Sequence, residues 1–233
     1  MLVTSGLTSP ERSVSHQTLP IKYKMEYNEE HKNKMWEMKK KIENKSFKSF
    51  DFSGTQFNYP IFDNVQFEDC LFNKSDMTDA RIYGCSFTNC RFVKIDFRTA
   101  TIGAHKGLFI NCLFDNCDFR DASFYEPEFN NCAFNKCKLS KVDFKASSFV
   151  SCKFVGILSD VIFRGNDESD LYSNPQLNSM YHIDFSEAIF GEYVDFEDCD
   201  LSTCIPPKGK TFEELLFQSE YYPNRLGTGS KNR

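Results

Sequence analysis

The chain has 233 residues, with 28 basic and 33 acidic side chains and a net charge of −5, a length that allows one domain with a sizeable core or at most two small ones. A mean hydropathy of −0.48 and no apolar run near the roughly 18 residues of a membrane helix exclude an ordinary transmembrane span. No apolar segment follows a basic start, so a cytoplasmic location is expected, with secretion lacking a cleaved signal left open.

Residues 1–24 have the polar, small-residue composition of a disordered tail. Residues 25–46 read as an N-terminal capping helix, because Tyr27, His31, Met35, Met38 and Ile42 share one helical face among lysines and glutamates.

From Phe47 the pattern changes to a period of five. Phe47, Phe52, Phe57, Phe62, Phe67, Phe72, Met77, Ile82, Phe87, Phe92, Phe97 and Ile102 follow one another at that spacing. Two extra residues intervene around Gly103–Gly107, after which the series runs from Phe109 to Phe154. Phe163, Phe185, Phe190, Phe196 and Leu201 continue it more loosely, so 22 of the 25 phenylalanines are repeat centres. Five residues advance a helix by about 500°, so helical centres would never share a face. On a flat strand an odd period sends alternate centres to opposite sides. The chain must therefore turn once per repeat, with every centre inward.

The residue two before each centre is small or modest and uncharged, as in Thr55, Val65, Cys70, Ser75 and Ala80. The other positions hold most of the Asp, Asn, Lys and Ser, the packing logic of a tube too narrow for two bulky side chains per side. Cys70, Cys90, Cys112, Cys132 and Cys152 all precede every fourth centre, which points to four sides. This column keeps phase across 103–107, so those residues are expected to bulge outward.

The blocks Cys112-Leu113-Phe114-Asp115-Asn116, Cys117-Asp118-Phe119-Arg120-Asp121 and Ala122-Ser123-Phe124 resemble the A(D/N)LXX pattern of the pentapeptide-repeat family, in a Cys- and Phe-rich form. The resemblance covers residues 47–204. It implies an all-β solenoid, a right-handed quadrilateral parallel β-helix with one repeat per side. About seven coils are expected at a strand-like rise of ~4.8 Å, with short α-helical caps at both ends.

Within that span the gap between Phe163 and Phe185 makes residues 164–184 either a loop or a degenerate coil through Leu171 and Leu177. Residues 205–225 read as a C-terminal capping or dimerisation helix. Thr211 and Glu214 fit a capping box, and Phe212, Leu215 and Leu216 give a short apolar face. Residues 226–233 have the composition of a disordered tail.

Charge is unevenly placed. Residues 47–153 hold 13 acidic and 13 basic side chains, whereas residues 154–204 hold 11 acidic ones against Arg164 alone. Asp167, Glu168, Asp170, Glu192, Asp195, Glu197, Asp198 and Asp200 are therefore the candidate partner-binding acidic surface. His105 and Lys106, in the first interruption, are the candidate loop contact.

The ten cysteines do not show zinc-pair spacing, and the repeat register accounts for all of them as wall residues, so neither metal nor cofactor is expected. His16, His31, His105 and His182 lie far apart, no nucleophile or phosphate-loop motif occurs, and a tube filled with phenylalanine leaves no cleft. A non-catalytic protein acting by protein–protein interaction follows, with no direct nucleic-acid contact. Duplex DNA carries one charge per ~1.7 Å, so two coils would match about six negative charges. Residues 154–204 reach that density. The chain also resembles the quinolone-resistance and toxin-immunity branch of the family, whose members imitate DNA, bind type II topoisomerases and carry two loop insertions and a C-terminal dimerisation helix. That resemblance implies a DNA-mimicking ligand of gyrase and a homodimer. The alternative is a general interaction scaffold, or a host-directed effector, with no topoisomerase role.

Overall fold

The computed structural model describes residues 26–145, 147–165 and 180–216. Most strands are three residues long and stack in parallel into sheets of eight, seven and six strands. A fourth line is held by single bridges, Met35 to Gln56, then Asp76, Asp96, Asp118 and Lys138. The chain is a four-sided parallel solenoid. Its sides are numbered here from the columns that start at Phe47, Phe52, Phe57 and Phe62. The third is the bridged one, and the fourth has eight strands.

Each residue pairs with the one 20 positions on, as Ile61 does with Arg81. At 103–107 the spacing becomes 22, Ser86 to Leu108, with a bulge beside Tyr83, and the next coil returns to 20. The interruption thus bulges while the stack keeps its register, as its cysteine column implied.

The turning device lies two residues after each centre. Ser49, Asn64, Asp69, Lys74, Asn89, Asn111 and Asn131 all have φ between 53 and 57°. Asn and Asp reach this left-handed region most readily, because a short polar side chain can bond locally. Along the corner between the first and second sides their amides also form a ladder. Asn89 donates to Asp69 at 3.0 Å, Asn111 to Asn89 at 3.1 Å and Asn131 to Asn111 at 2.8 Å. On the third side the corner closes as a β-turn, with Ala80, Ala100 and Ala122 amides donating to Met77, Phe97 and Phe119 carbonyls at 2.9–3.1 Å. Asp76, Asp96 and Asp118 each accept the amide two residues on, which is why aspartate recurs there.

The core is a set of ring columns. Phe67, Phe87, Phe109, Phe129 and Phe149 stack at 4.8–5.1 Å with planes within 17°. Phe72, Phe92, Phe114, Phe134 and Phe154 do so at 4.8–4.9 Å. Strand spacing imposes this distance, and it falls within the range of favourable aromatic pairs. The small residue beside each ring fills the corner and satisfies backbone. Cys70, Cys90, Cys112, Cys132 and Cys152 thiols donate to Phe47, Phe67, Phe87, Phe109 and Phe129 carbonyls at 3.2–3.5 Å. Ser75 does the same to Phe52 at 2.7 Å. Burial pushes the Cys112, Cys137 and Cys152 thiols up, and carries Cys85 up to about 12. They are wall residues, and all ten cysteines are free thiols.

The N-terminal helix expected over 25–46 does not form. Residues 28–48 make a further coil, with strands at Lys41–Glu43 and Ser46–Lys48. Trp36 N–H donates to Gln56 at 2.9 Å and Lys39 N–H to Asn58 at 2.8 Å. His31 stacks on Phe52 at 5.3 Å, and Trp36 meets Phe57 edge-on at 4.7 Å. Trp36 is 7% exposed, whereas Met35 and Met38, assigned to the buried face of the helix, are 79% and 69% exposed. The physical reason is edge pairing: a coil gives the Phe47–Phe57 segment hydrogen-bond partners that a helix laid across it would not.

At the other end, of the helix expected over 205–225, only Phe212–Leu216 is helical among the described residues; Ile205 instead bridges to Asp184, and 217–225 lie outside the described residues. Thr211 N–H donates to Glu214 Oε2 at 2.9 Å, and Glu214 N–H to Thr211 Oγ1 at 3.1 Å, the reciprocal box. Phe212 closes the core against Phe185, Phe190 and Phe196 at 6.1–6.5 Å, with Leu216 also on the core and Leu215 half-buried. The tails expected at 1–24 and 226–233 lie outside the described residues. Among the described residues no helix is long and apolar enough to cross a membrane.

Trp36 is the single tryptophan, so its fluorescence checks the first coil. Blue-shifted emission, poorly quenched by acrylamide, is expected for a ring buried on Phe57. Emission at the wavelength of a solvated indole, freely quenched, would restore the helix.

Candidate functional site

Both interruptions of the repeat leave the rod at one corner, between the fourth and first sides. The first follows Ile102 and the second follows Phe163, three coils further on.

The first is a tight five-residue loop, closed by Gly107 N–H on the Gly103 carbonyl at 2.7 Å. Gly103 has φ 84°, and a Cβ there would lie 2.4 Å from Pro127, so only glycine fits. His105 and Lys106, both left-handed at 64 and 65°, are exposed at the tip. The His105 ring lies 5.5 Å from Tyr83. The expected loop contact is thus presented outward by a rigid base.

The second departs after Gly165 and returns at Met180, which pairs with Phe149. Its interior, with Asp167, Glu168, Asp170, Leu171 and Leu177, lies outside the described residues. The strands around it are direct neighbours, Val161 beside Val194 and Arg164 beside Glu197, 33 positions apart. Arg164 fastens its base. Nε donates to Asp143 Oδ2 at 2.8 Å, and the guanidinium pairs with Glu197 on the next coil.

The acidic residues do not form one sheet of charge. Lys153 pairs with Glu187 at 2.6 Å and Asp184 at 3.2 Å, and Arg164 takes Glu197. Burial alone would raise the Asp184 carboxyl, but hydrogen bonds from Ser186 and the Lys153 ammonium hold it below its ordinary value. Asp200 is held low by hydrogen bonds from Ser202, whose amide it accepts at 2.9 Å. Glu192, Asp198 and Asp200 are exposed, and Asp195 and Glu197 are half-buried. These residues wrap the final coil, from the third–fourth corner to the first side, instead of running down the rod. Among the described residues no group of His, Cys, Asp or Glu is arranged to hold a metal ion.

Eight copies of the pentapeptide-repeat pattern match residues 51–89 and 108–140. Over those residues the chain carries the repeat of the pentapeptide-repeat family. No curated protein matches it in sequence. Solved pentapeptide-repeat structures are similar to it at low identity. HetL, involved in heterocyst differentiation regulation in the cyanobacterium Nostoc, has 13% identity and a TM-score of 0.47, over 76% of this chain and 86% of its own. A trypsin-treated form of QnrB1, a plasmid-mediated fluoroquinolone resistance protein, has 15% identity and a TM-score of 0.47, over 78% and 96%. Rfr23 from a Cyanothece cyanobacterium has 9% identity and a TM-score of 0.25, over 75% and 88%. At these scores the neighbours add nothing to the register already described.

Replacing Arg164 by alanine removes the guanidinium from two half-buried carboxylates, and a loss of about 2 kcal/mol in urea unfolding is expected. Lys48→Ala, which breaks the more exposed pair with Glu68, should cost under about 0.5 kcal/mol. Equal costs would show that Arg164 is no clasp.

Proposed function

We propose that this protein is a non-catalytic binding protein that engages a partner protein through its final coils and the corner from which both interruptions emerge. The observation that carries this reading is the coincidence of features there. Exposed Asp198 lies at that corner, Asp200 lies on the adjoining first side, and the Arg164 clasp stands at the base of the second interruption. The core is closed by stacked rings, so recognition falls to the outer surface.

In its concrete form the partner is a type II topoisomerase such as gyrase, met by the acidic surface in the manner of DNA. Supporting it are the charge density of residues 154–204 and the resemblance to the quinolone-resistance branch. In this form Asp167, Glu168, Asp170, Glu192, Asp195, Glu197, Asp198 and Asp200 carry the contact, with His105 and Lys106 reaching the partner from the same corner earlier in the stack. Phe212, Leu215 and Leu216 pair two chains. The second reading, a scaffold with no topoisomerase role, is favoured by a specific observation: residues 47–153 balance 13 acidic with 13 basic side chains, so the acidic excess does not continue along the earlier coils.

A gyrase supercoiling assay separates the two. Under the first, the protein inhibits supercoiling or protects it from quinolones, and a variant with Asp195, Asp198 and Asp200 changed to asparagine loses at least about tenfold in potency. No effect of the wild-type protein at large molar excess would leave the scaffold reading standing.

A further inference from the structure

The third side carries a groove that the acidic end does not use. On earlier coils this side presents a small inward residue and then a centre, such as Ser75 with Met77, Cys117 with Phe119 and Cys137 with Leu139, all buried. One coil later the side is one residue shorter, since Val142 and Val161 are paired across 19 positions where Ile61 and Arg81 span 20. The centre is now Leu158, and the inward place falls to Gly156, with φ 103°. A Cβ on Gly156 would lie 3.2 Å from the Lys136 Cα, so no side chain fills the space that a cysteine or serine fills elsewhere.

The result is an open groove of about 490 Å³. Buried Leu139 with Gly156 and Ile157 form its apolar part, and exposed Lys136 and Lys138 line it with Arg120. Beyond it Ile157 pairs with Ile189, and these two aliphatic side chains are 66% and 63% exposed on adjacent strands. Arg120 and Lys138 share one carboxylate, Asp118, at 2.7 and 3.6 Å. Lys136 is in no ion pair among the described residues. The groove therefore has an aliphatic floor, an aliphatic ledge and an excess of positive charge at its rim.

We infer that this groove docks an extended segment of a partner protein in which carboxylates alternate with aliphatic side chains. A carboxylate would meet the Lys136 ammonium, and the neighbouring aliphatic group would enter beside Leu139. The next aliphatic residue would cover the Ile157–Ile189 ledge, which otherwise leaves apolar surface in water. The volume falls within the range of sites that take a few side chains. Positive charge at the rim also rejects a basic segment of the same shape. This surface takes a partner opposite in charge to one that would meet Asp198 and Asp200, so the two sites are independent.

The test is fluorescence anisotropy of the full-length protein with a fluorescein-labelled hexapeptide of alternating glutamate and leucine. A matched peptide of alternating lysine and leucine is the control. Saturable binding of the acidic peptide at roughly 10–100 μM is expected, with K136E and Ile157→Glu each weakening it by about tenfold or more. The control peptide should not saturate, and Asp198→Asn should leave the affinity unchanged. Lys136 and Ile157 are exposed, and circular dichroism of each variant confirms its fold. Equal affinity for both peptides, no saturation by about 1 mM, or wild-type affinity in K136E would overturn the proposal. A protein inactive on gyrase that still bound the acidic peptide would keep this site while removing the topoisomerase reading.

Discussion

The structure depends on a match of two lengths. Parallel strands stack about 4.8 Å apart, and phenyl rings carried on those strands stack here at 4.8–5.1 Å. Backbone hydrogen bonding and ring contact are thus satisfied by one translation, repeated from Phe47 to Phe196. Everything else accommodates that translation. Corners must be left-handed so that each short side ends after one ring, which places Asn, Asp and Lys two residues on. The wall residue beside each ring must be small, and a thiol or hydroxyl there also reaches the carbonyl of the coil before. The scheme leaves little freedom at the centres and much at the outward positions, so surface chemistry can vary without disturbing the core.

The same rule explains what could be read from residues alone. A phenylalanine at every fifth position dictates one turn per repeat, and the cysteine column counts the sides. The Thr211–Glu214 box is local chemistry, and it forms as written. The first coil was not legible. Trp36 precedes Phe57 by 21 positions and His31 precedes Phe52 by 21, so one extra residue breaks the period before Ile42. Tyr27, His31, Met35, Met38 and Ile42 meanwhile fall on a helical stripe. The unpaired edge of the Phe47 coil decides between these, and an edge is a property of the fold, not of a local pattern. The pairing of Arg164 with Glu197 was hidden for a related reason, since an interruption of unknown path separates them. The groove has a visible trace, the four-residue step from Phe154 to Leu158, but its consequence appears only when Gly156 is set beside Lys136.

The two proposed surfaces lie on opposite sides of the rod's cross-section. The corner between the fourth and first sides carries the interruptions and, at the final coil, exposed acidic residues. Across the tube, the corner between the second and third sides carries Lys136 and the aliphatic groove. Each is defined by a departure from the repeat: residues added at one, a residue removed at the other. Regular coils act as a ruler that fixes the distance between such departures.

The central claim is a four-sided rod rising one strand spacing per coil. Spin labels at Ser46 and Ser148, which stand on one face five coils apart through Gln66, Ser86, Leu108 and Glu128, measure it by double electron–electron resonance. A single narrow distance of about 24 Å is predicted. A mean of about 33 Å, the value for a three-sided coil over the same residues, or a broad distribution would contradict the account.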